Sequence, residues 1–353
     1  SLLPEGKASS SLDLAKGLNR ITRQADFSGL KTGAYVIKAE LAFPSGRTLS
    51  WGSTVLQLAP GWIDEYSMLI ADLPPHEEPT ARYHLDTIVR AVENHHPRRG
   101  PGPIITTLDE LVRLLDNAVE NGSILPDQGT FLAVYPGPDG QARLCHIYLP
   151  PGWRIARRLN PVVTLTGAVG MAGAIADRMG QNYDPGRQKP TLKAGQDEGF
   201  PVYLVPGLAP IGDPRPADLN AEAVACLAWA RETFDTPIVS VAGSDRGAGT
   251  ALHIASGQGG TIRAMTIYAG RDLDPWPQAE REFIRERLEG FPTSIPLVWN
   301  DFITETRVGG QGPLILEVLQ ELGADIVEIQ KVKGGMNFTQ VADRTILWAE
   351  NLR

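Results

Sequence analysis

Residues Ile238 to Ala255 constrain the fold most. They read as a short apolar strand, a turn crowded with glycine, and a helix rich in small residues. That is the layout of a nucleophile elbow, in which one side chain sits on a strained strand-to-helix turn. The backbone nearly meets itself there, so the positions two before and two after the central residue must be small. Gly243 and Gly247 flank Asp245 in this way. Centring on Ser244 would put Ala242 and Arg246 at the flanks, and the arginine does not fit. The spacing therefore selects Asp245, at a position where nucleophilic chemistry commonly uses serine or cysteine.

A chain of 353 residues is long enough for two domains, or for one large α/β domain with an appendage. Its net charge of −8 argues against nucleic acid as a partner, because phosphate binding calls for a basic surface. No apolar run reaches the ~18 residues of a membrane span. The first residue is Ser1 rather than Met, which leaves open both a soluble cytoplasmic protein and export after signal removal. Cys145 and Cys226 are expected as two buried free thiols, with a single disulfide as the alternative. No Cys or His cluster has zinc spacing, and His95 and His96 fall in a polar, proline-rich loop, so neither metal nor cofactor is expected. Oligomeric state and ligand identity are not written in the sequence.

Apolar positions 12, 15, 18, 21 and 25 form a helical stripe. Strands are expected over 30–43 and 51–58, and a helix over 84–92. Thr107 with Glu110 reads as a capping box opening a helix that Gly122 ends. Residues 1–124 are thus expected to be a smaller mixed α+β accessory or cap domain. Strands at 130–135 and 142–149 form a hairpin around Pro136–Gly140. Beyond Leu159 apolar strands alternate with helices. The strands are expected at 161–165, 201–205, 237–241, 262–268, 296–299 and 325–329. The helices fall near 172–180, 217–233, 248–256, 277–288, 312–322 and 339–351. Such alternation implies a mostly parallel sheet with helices on both faces.

His146 to Trp153, followed by Asn160 to Gly167, resembles the opening of an α/β-hydrolase domain. The resemblance is to the feruloyl esterase, dienelactone hydrolase and prolyl oligopeptidase-like branch. It spans about residues 143–353 and implies an α/β-hydrolase domain over 125–353. It further implies four motifs in order, each present here in position and most with altered content. The oxyanion loop reads Thr166 to Gly170, with threonine where the family usually has histidine. The elbow carries Asp245. The acid turn is 301–308, with Glu305 as the acid and Asp301 as a residue that caps a turn. The last turn reads Lys333 to Phe338, with Met336 in the histidine's place. The triad-equivalent positions are therefore Asp245, Glu305 and Met336, and the oxyanion or ligand-binding set is Thr166, Gly167, Ala168 and Arg246.

Serine hydrolysis needs a nucleophile, a base and oxyanion donors. A thioether at Met336 accepts no proton, and all six histidines precede the acid turn. Asp245 then has three readings. As a carboxylate nucleophile it would still need a histidine to activate water. As a fixed charge it would serve a site that binds without cutting. Facing Glu305, it would act as acid or base or recruit a cation. Thr166, Asp245 and Met336 depart from the pattern together, which argues against one inactivating substitution. The expected function is a hydrolase-fold protein that binds a small molecule or partner in a former active site. The alternative is a hydrolase of ester, amide or related bonds, including peptides, that uses a non-standard Asp245/Glu305 site. Gly167 and Gly170 lack dinucleotide-binding spacing. Trp153, Trp229, Trp299 and Trp348 are expected in the core.

Overall fold

The structure is a computed structural model that describes residues 30–94, 102–156, 158–166, 171–182, 199–211, 218–269, 280–303, 311–333 and 336–352. The expected stripe over 12–25 and the pair His95 and His96 lie outside the described residues. Contacts divide the chain into two compact units. The smaller takes described residues up to Leu73 together with Ala81–Ile124, and the larger takes Pro74–Thr80 and the chain from Leu125 onward.

The smaller unit opens with a hairpin. Strands β1 (Gly33–Ala42) and β2 (Thr48–Gln57) pair antiparallel, from Gly33 opposite Gln57 to Ala42 opposite Thr48. Helix α1 (Trp62–Ala71) was not anticipated, because Leu58, Trp62, Tyr66 and Ile70 recur every four residues only over a short span. Trp62 and Tyr66 make an edge-on ring contact at 6.2 Å. Helices α2 (Glu78–Glu93) and α3 (Gly102–Asn121) complete a core containing Trp62, Ile70, Leu85, Ile88, Leu108 and Leu111. The expected capping box at Thr107 is overturned, since α3 begins five residues earlier and passes through Thr107. Pro103 is tolerated in its first turn, where a backbone N–H has no intrahelical partner to lose. Gly122 ends the helix at φ 72°, as expected.

The larger unit holds an eight-stranded sheet. Its strands are β3 (Gly129–Pro136), β4 (Ala142–Leu149), β5 (Leu159–Thr166), β6 (Phe200–Pro210), β7 (Val239–Ser244), β8 (Ile262–Ala269), β9 (Leu297–Ile303) and β10 (Ile326–Lys333). Their spatial order is β10-β9-β8-β7-β5-β6-β4-β3. Strands β5 to β10 run parallel, while β4 is antiparallel to both β3 and β6. This mostly parallel sheet, with an antiparallel hairpin at one edge and helices on both faces, is an α/β-hydrolase fold.

Helices α4 (Met171–Asn182) and α9 (Phe338–Asn351) pack together on one face. Helices α5 (Leu219–Thr233) and α6 (Arg246–Gln258) pack together on the other. Helices α7 (Arg281–Arg287) and α8 (Gln311–Glu321) pack against each other. Strand β5 is buried from Asn160 to Thr166 and all of β7 is buried, which is why both are free of charged residues, with their few polar side chains small. Asp218 caps α5 by accepting from the N–H groups of Asn220 and Ala221 at 2.9 and 3.3 Å. Trp153, Trp229 and Trp299 are buried and Trp348 is partly so. Cys145 and Cys226 are both buried and free.

Candidate functional site

The elbow is built from β5, β7 and α6. Thr166, the last residue of β5, stands opposite Ser244, the last residue of β7, and Leu165 stands opposite Gly243. The helix after β5 packs on one face of the sheet and the helix after β7 on the other. In open α/β sheets the carboxyl ends of adjacent strands whose helices leave to opposite faces are where ligands bind. Asp245 follows Ser244 at that end of the sheet with φ 52° and ψ −126°. Those angles lie outside the left-handed helical well, in a region that glycine enters most easily and that strains other residues. The Ala248 N–H donates to the Asp245 carbonyl at 2.9 Å and closes the turn into α6.

The flanking glycines have a measurable cause. A Cβ on Gly247 would lie 2.2 Å from the carbonyl oxygen of Leu165 and 2.7 Å from the backbone nitrogen of Thr166. A Cβ on Gly243 would lie 2.8 Å from the Ala248 Cα, the Ala251 Cβ and the Gly247 carbonyl oxygen. Two close backbone approaches therefore hold Asp245 between the end of β5 and the start of α6. Thr166 is buried, Asp245 is half-buried and Arg246 is exposed. The structure thus brings Thr166, Asp245 and Arg246 together. Gly167, Ala168 and Glu305 lie outside the described residues.

Contrary to expectation, Asp301 caps no turn. It belongs to β9, opposite Ala269 on one side and Lys331 on the other, and so continues a strand instead of capping a turn. Met336 follows β10 at the same end of the sheet as the elbow. It packs against the core cluster that contains Tyr268, Phe302 and Val332. The next residue, Asn337, caps α9 by accepting from the Gln340 N–H at 2.9 Å. Met336 therefore serves packing at the mouth of the last helix.

The described histidines of the larger unit stand away from Asp245. His253 lies eight residues further along, about 12 Å up a helix, and its buried Nδ1 has no hydrogen-bond partner. His146 sits on β4, three strands from β7 in the sheet order, or about 15 Å at ordinary strand spacing. Burial lowers its pKa, and Asp177 on α4 partly opposes this. His76 lies 4.0 Å from Glu232 in the last turn of α5, beside the end of the sheet where β7 starts. No group of His, Cys, Asp and Glu that could hold a metal ion occurs among the described residues. No described helix is long and apolar enough to cross a membrane.

Sequence reasoning missed a buried ion pair and a cavity. The Arg143 guanidinium on β4 donates to both carboxylate oxygens of Glu222 on α5, at 2.8 and 2.6 Å, with both side chains buried. The cavity lies under α9 and is lined by residues scattered from Thr266 to Leu352. No local pattern signals either one.

No protein-family model matches the chain, and no curated protein matches it in sequence. Solved structures similar to it include a dienelactone hydrolase from Anabaena variabilis ATCC 29413, with a TM-score of 0.44 and 13% identity over 64% of this chain and 97% of that one. An S-formylglutathione hydrolase from Agrobacterium tumefaciens is similar at a TM-score of 0.42 and 14% identity, over 65% of this chain and 96% of that one. A ferulic acid esterase is similar at a TM-score of 0.46 and 9% identity, over 64% of this chain and 98% of that one.

Proposed function

We propose that this is a hydrolase-fold protein whose elbow binds a small molecule or partner without cleaving it. The observation that carries the reading is Asp245 held at φ 52° in an intact elbow, with Met336 where the resemblance expects a base. A carboxylate is a poor nucleophile toward an acyl carbon without a histidine to complete turnover. As a fixed charge at the carboxyl ends of the strands, it is suited to a cationic or hydrogen-bond-donating group of a ligand. Thr166 and Arg246 adjoin it, and we assign Gly167, Ala168 and Glu305 to the same site. In this reading residues 1–124 form an accessory or cap domain and 125–353 the binding domain.

The strain retained at Asp245 favours a second reading, a hydrolase that uses Asp245 with Glu305, because such strain clusters where chemistry occurs. One experiment separates the two. Wild-type protein, Asp245→Asn, and the double variant Asp245→Ser/Met336→His are assayed on p-nitrophenyl acyl esters and short peptides. The binding reading expects no turnover by wild type and a gain of esterase activity in the double variant. Wild-type turnover that disappears in Asp245→Asn would sink it in favour of the second reading. Turnover that survives Asp245→Asn would move the active site elsewhere.

A further inference from the structure

A cavity of about 240 Å³ lies between α9 and strands β8, β9 and β10. Thr166, Asp245, Arg246 and Met336 are not among its lining residues. Strands β8 and β9 are parallel to β7, whose carboxyl end carries Asp245. The cavity reaches Pro296, before β9 begins, and Leu352, after α9 has run back along the sheet. From there it extends along the strands to Tyr268 and Asn300, level with Ser244 in the register.

The lining has two kinds of surface. Val298 and Trp348 give an apolar wall, and Leu347 and Val327, 60% and 57% exposed, stand at its rim on the helix and strand sides. The polar side holds Arg344, beside a floor in which Asn300 Nδ2 donates to Thr266 Oγ1 at 3.0 Å. Arg344 Nη1 donates to Gln330 Oε1 at 2.7 Å. Among the described residues Arg344 makes no ion pair, and its neighbour Asp343 pairs with Arg178 at 3.2 Å. Glu328, also on the lining, is an exposed residue of the edge strand β10, on the same strand face as Gln330. Gln330 fixes one arm of the guanidinium. Nε and Nη2 remain as a parallel pair of donors, the fork that fits a carboxylate. Tyr268, which shares the cavity and bonds Thr345 Oγ1 at 3.0 Å, lies within the field of the Arg344 charge.

We propose that this cavity is a binding site for a small monocarboxylate with an apolar, preferably aromatic, body. The carboxylate pairs with the Nε and Nη2 edge of Arg344, and the body lies against Trp348 and Val298. Size limits the ligand, since the cavity is below the ~300 Å³ at which drug-sized pockets begin. At ~30 Å³ per water it has room for about eight water-sized groups, and covalently bonded ring atoms pack more closely than separate waters. The site owes nothing to the reading of Asp245 and stands if that reading fails.

Benzoate is the probe, with benzamide as its uncharged counterpart, both titrated calorimetrically into the full chain. A ligand of about nine heavy atoms binds in the millimolar to submillimolar range. Benzoate should bind at least about tenfold tighter than benzamide. Arg344→Gln should remove that preference, while Arg344→Lys keeps part of it and Arg178→Gln keeps all of it. Should Arg344→Gln not fold, the wild-type preference for benzoate must still shrink severalfold between low and high salt. Equal binding of the two probes, benzoate binding within twofold of wild type in folded Arg344→Gln, or no benzoate binding at about 10 mM overturns the proposal.

Discussion

At the scale of single residues, the backbone and the side chain at position 245 answer to different constraints. The close approaches of Gly247 to Leu165 and of Gly243 to Ala248 set the backbone, whatever side chain position 245 carries. Asp245 bears the cost of that conformation, of order 1–3 kcal/mol for a residue with a Cβ. Glycine adopts these angles without the steric cost and loses back up to about 1 kcal/mol through its freer unfolded chain. Asp245→Gly should therefore stabilise the fold by about 1 kcal/mol, read as a rise in the urea unfolding midpoint at constant slope. A lower midpoint would show that the Asp245 side chain contributes more to stability than its backbone costs.

Between elements, β4 and α5 are joined by a charge pair that burial makes unforgiving. Arg143 and Glu222 are each 1% exposed, and Gly137 leaves room for the guanidinium, since a Cβ there would lie 2.5 Å from its Cζ. Glu222 and Asp139 hold the guanidinium pKa above its ordinary value, but Asp139 is exposed and contributes less to the pair. Removing Glu222 leaves the buried guanidinium with only the exposed Asp139, at 3.0 Å, as a charged partner. Glu222→Ala should cost about 3–5 kcal/mol, and adding Arg143→Met should recover much of that loss. Chemical denaturation of both single variants and the double variant gives the cycle. Additive losses would mean that the pair is not coupled.

For the whole molecule, the folding equilibrium should sense acid through His146. Burial lowers its folded pKa below the ordinary value of 6.5, with Asp177 partly opposing. The unfolded chain then takes up the proton first as pH falls, so stability drops as pH passes below about 6.5 and levels off once the folded form is protonated too. His146→Gln should lose less stability than wild type between about pH 7.5 and pH 5.5 in parallel urea titrations, and an equal loss would assign the acid sensitivity to other groups. Much of the architecture that creates this setting was legible in the sequence. Strands such as β5 and β7, buried on both faces, show as short segments without charged residues, and the glycines at 243 and 247 mark the elbow. Other features were hidden for physical reasons. The ten-residue α1 is too short for a firm period, and Pro103 disguised the start of α3. Arg143 and Glu222 stand 79 residues apart in the chain, so their pairing exists only after folding. The two close approaches at the elbow also bear on how such a chain changes over generations. Positions 243 and 247 accept almost nothing but glycine, while 245 accepts any residue that tolerates its angles. The side chain presented at this elbow can therefore be exchanged at position 245 alone, while the architecture around it persists.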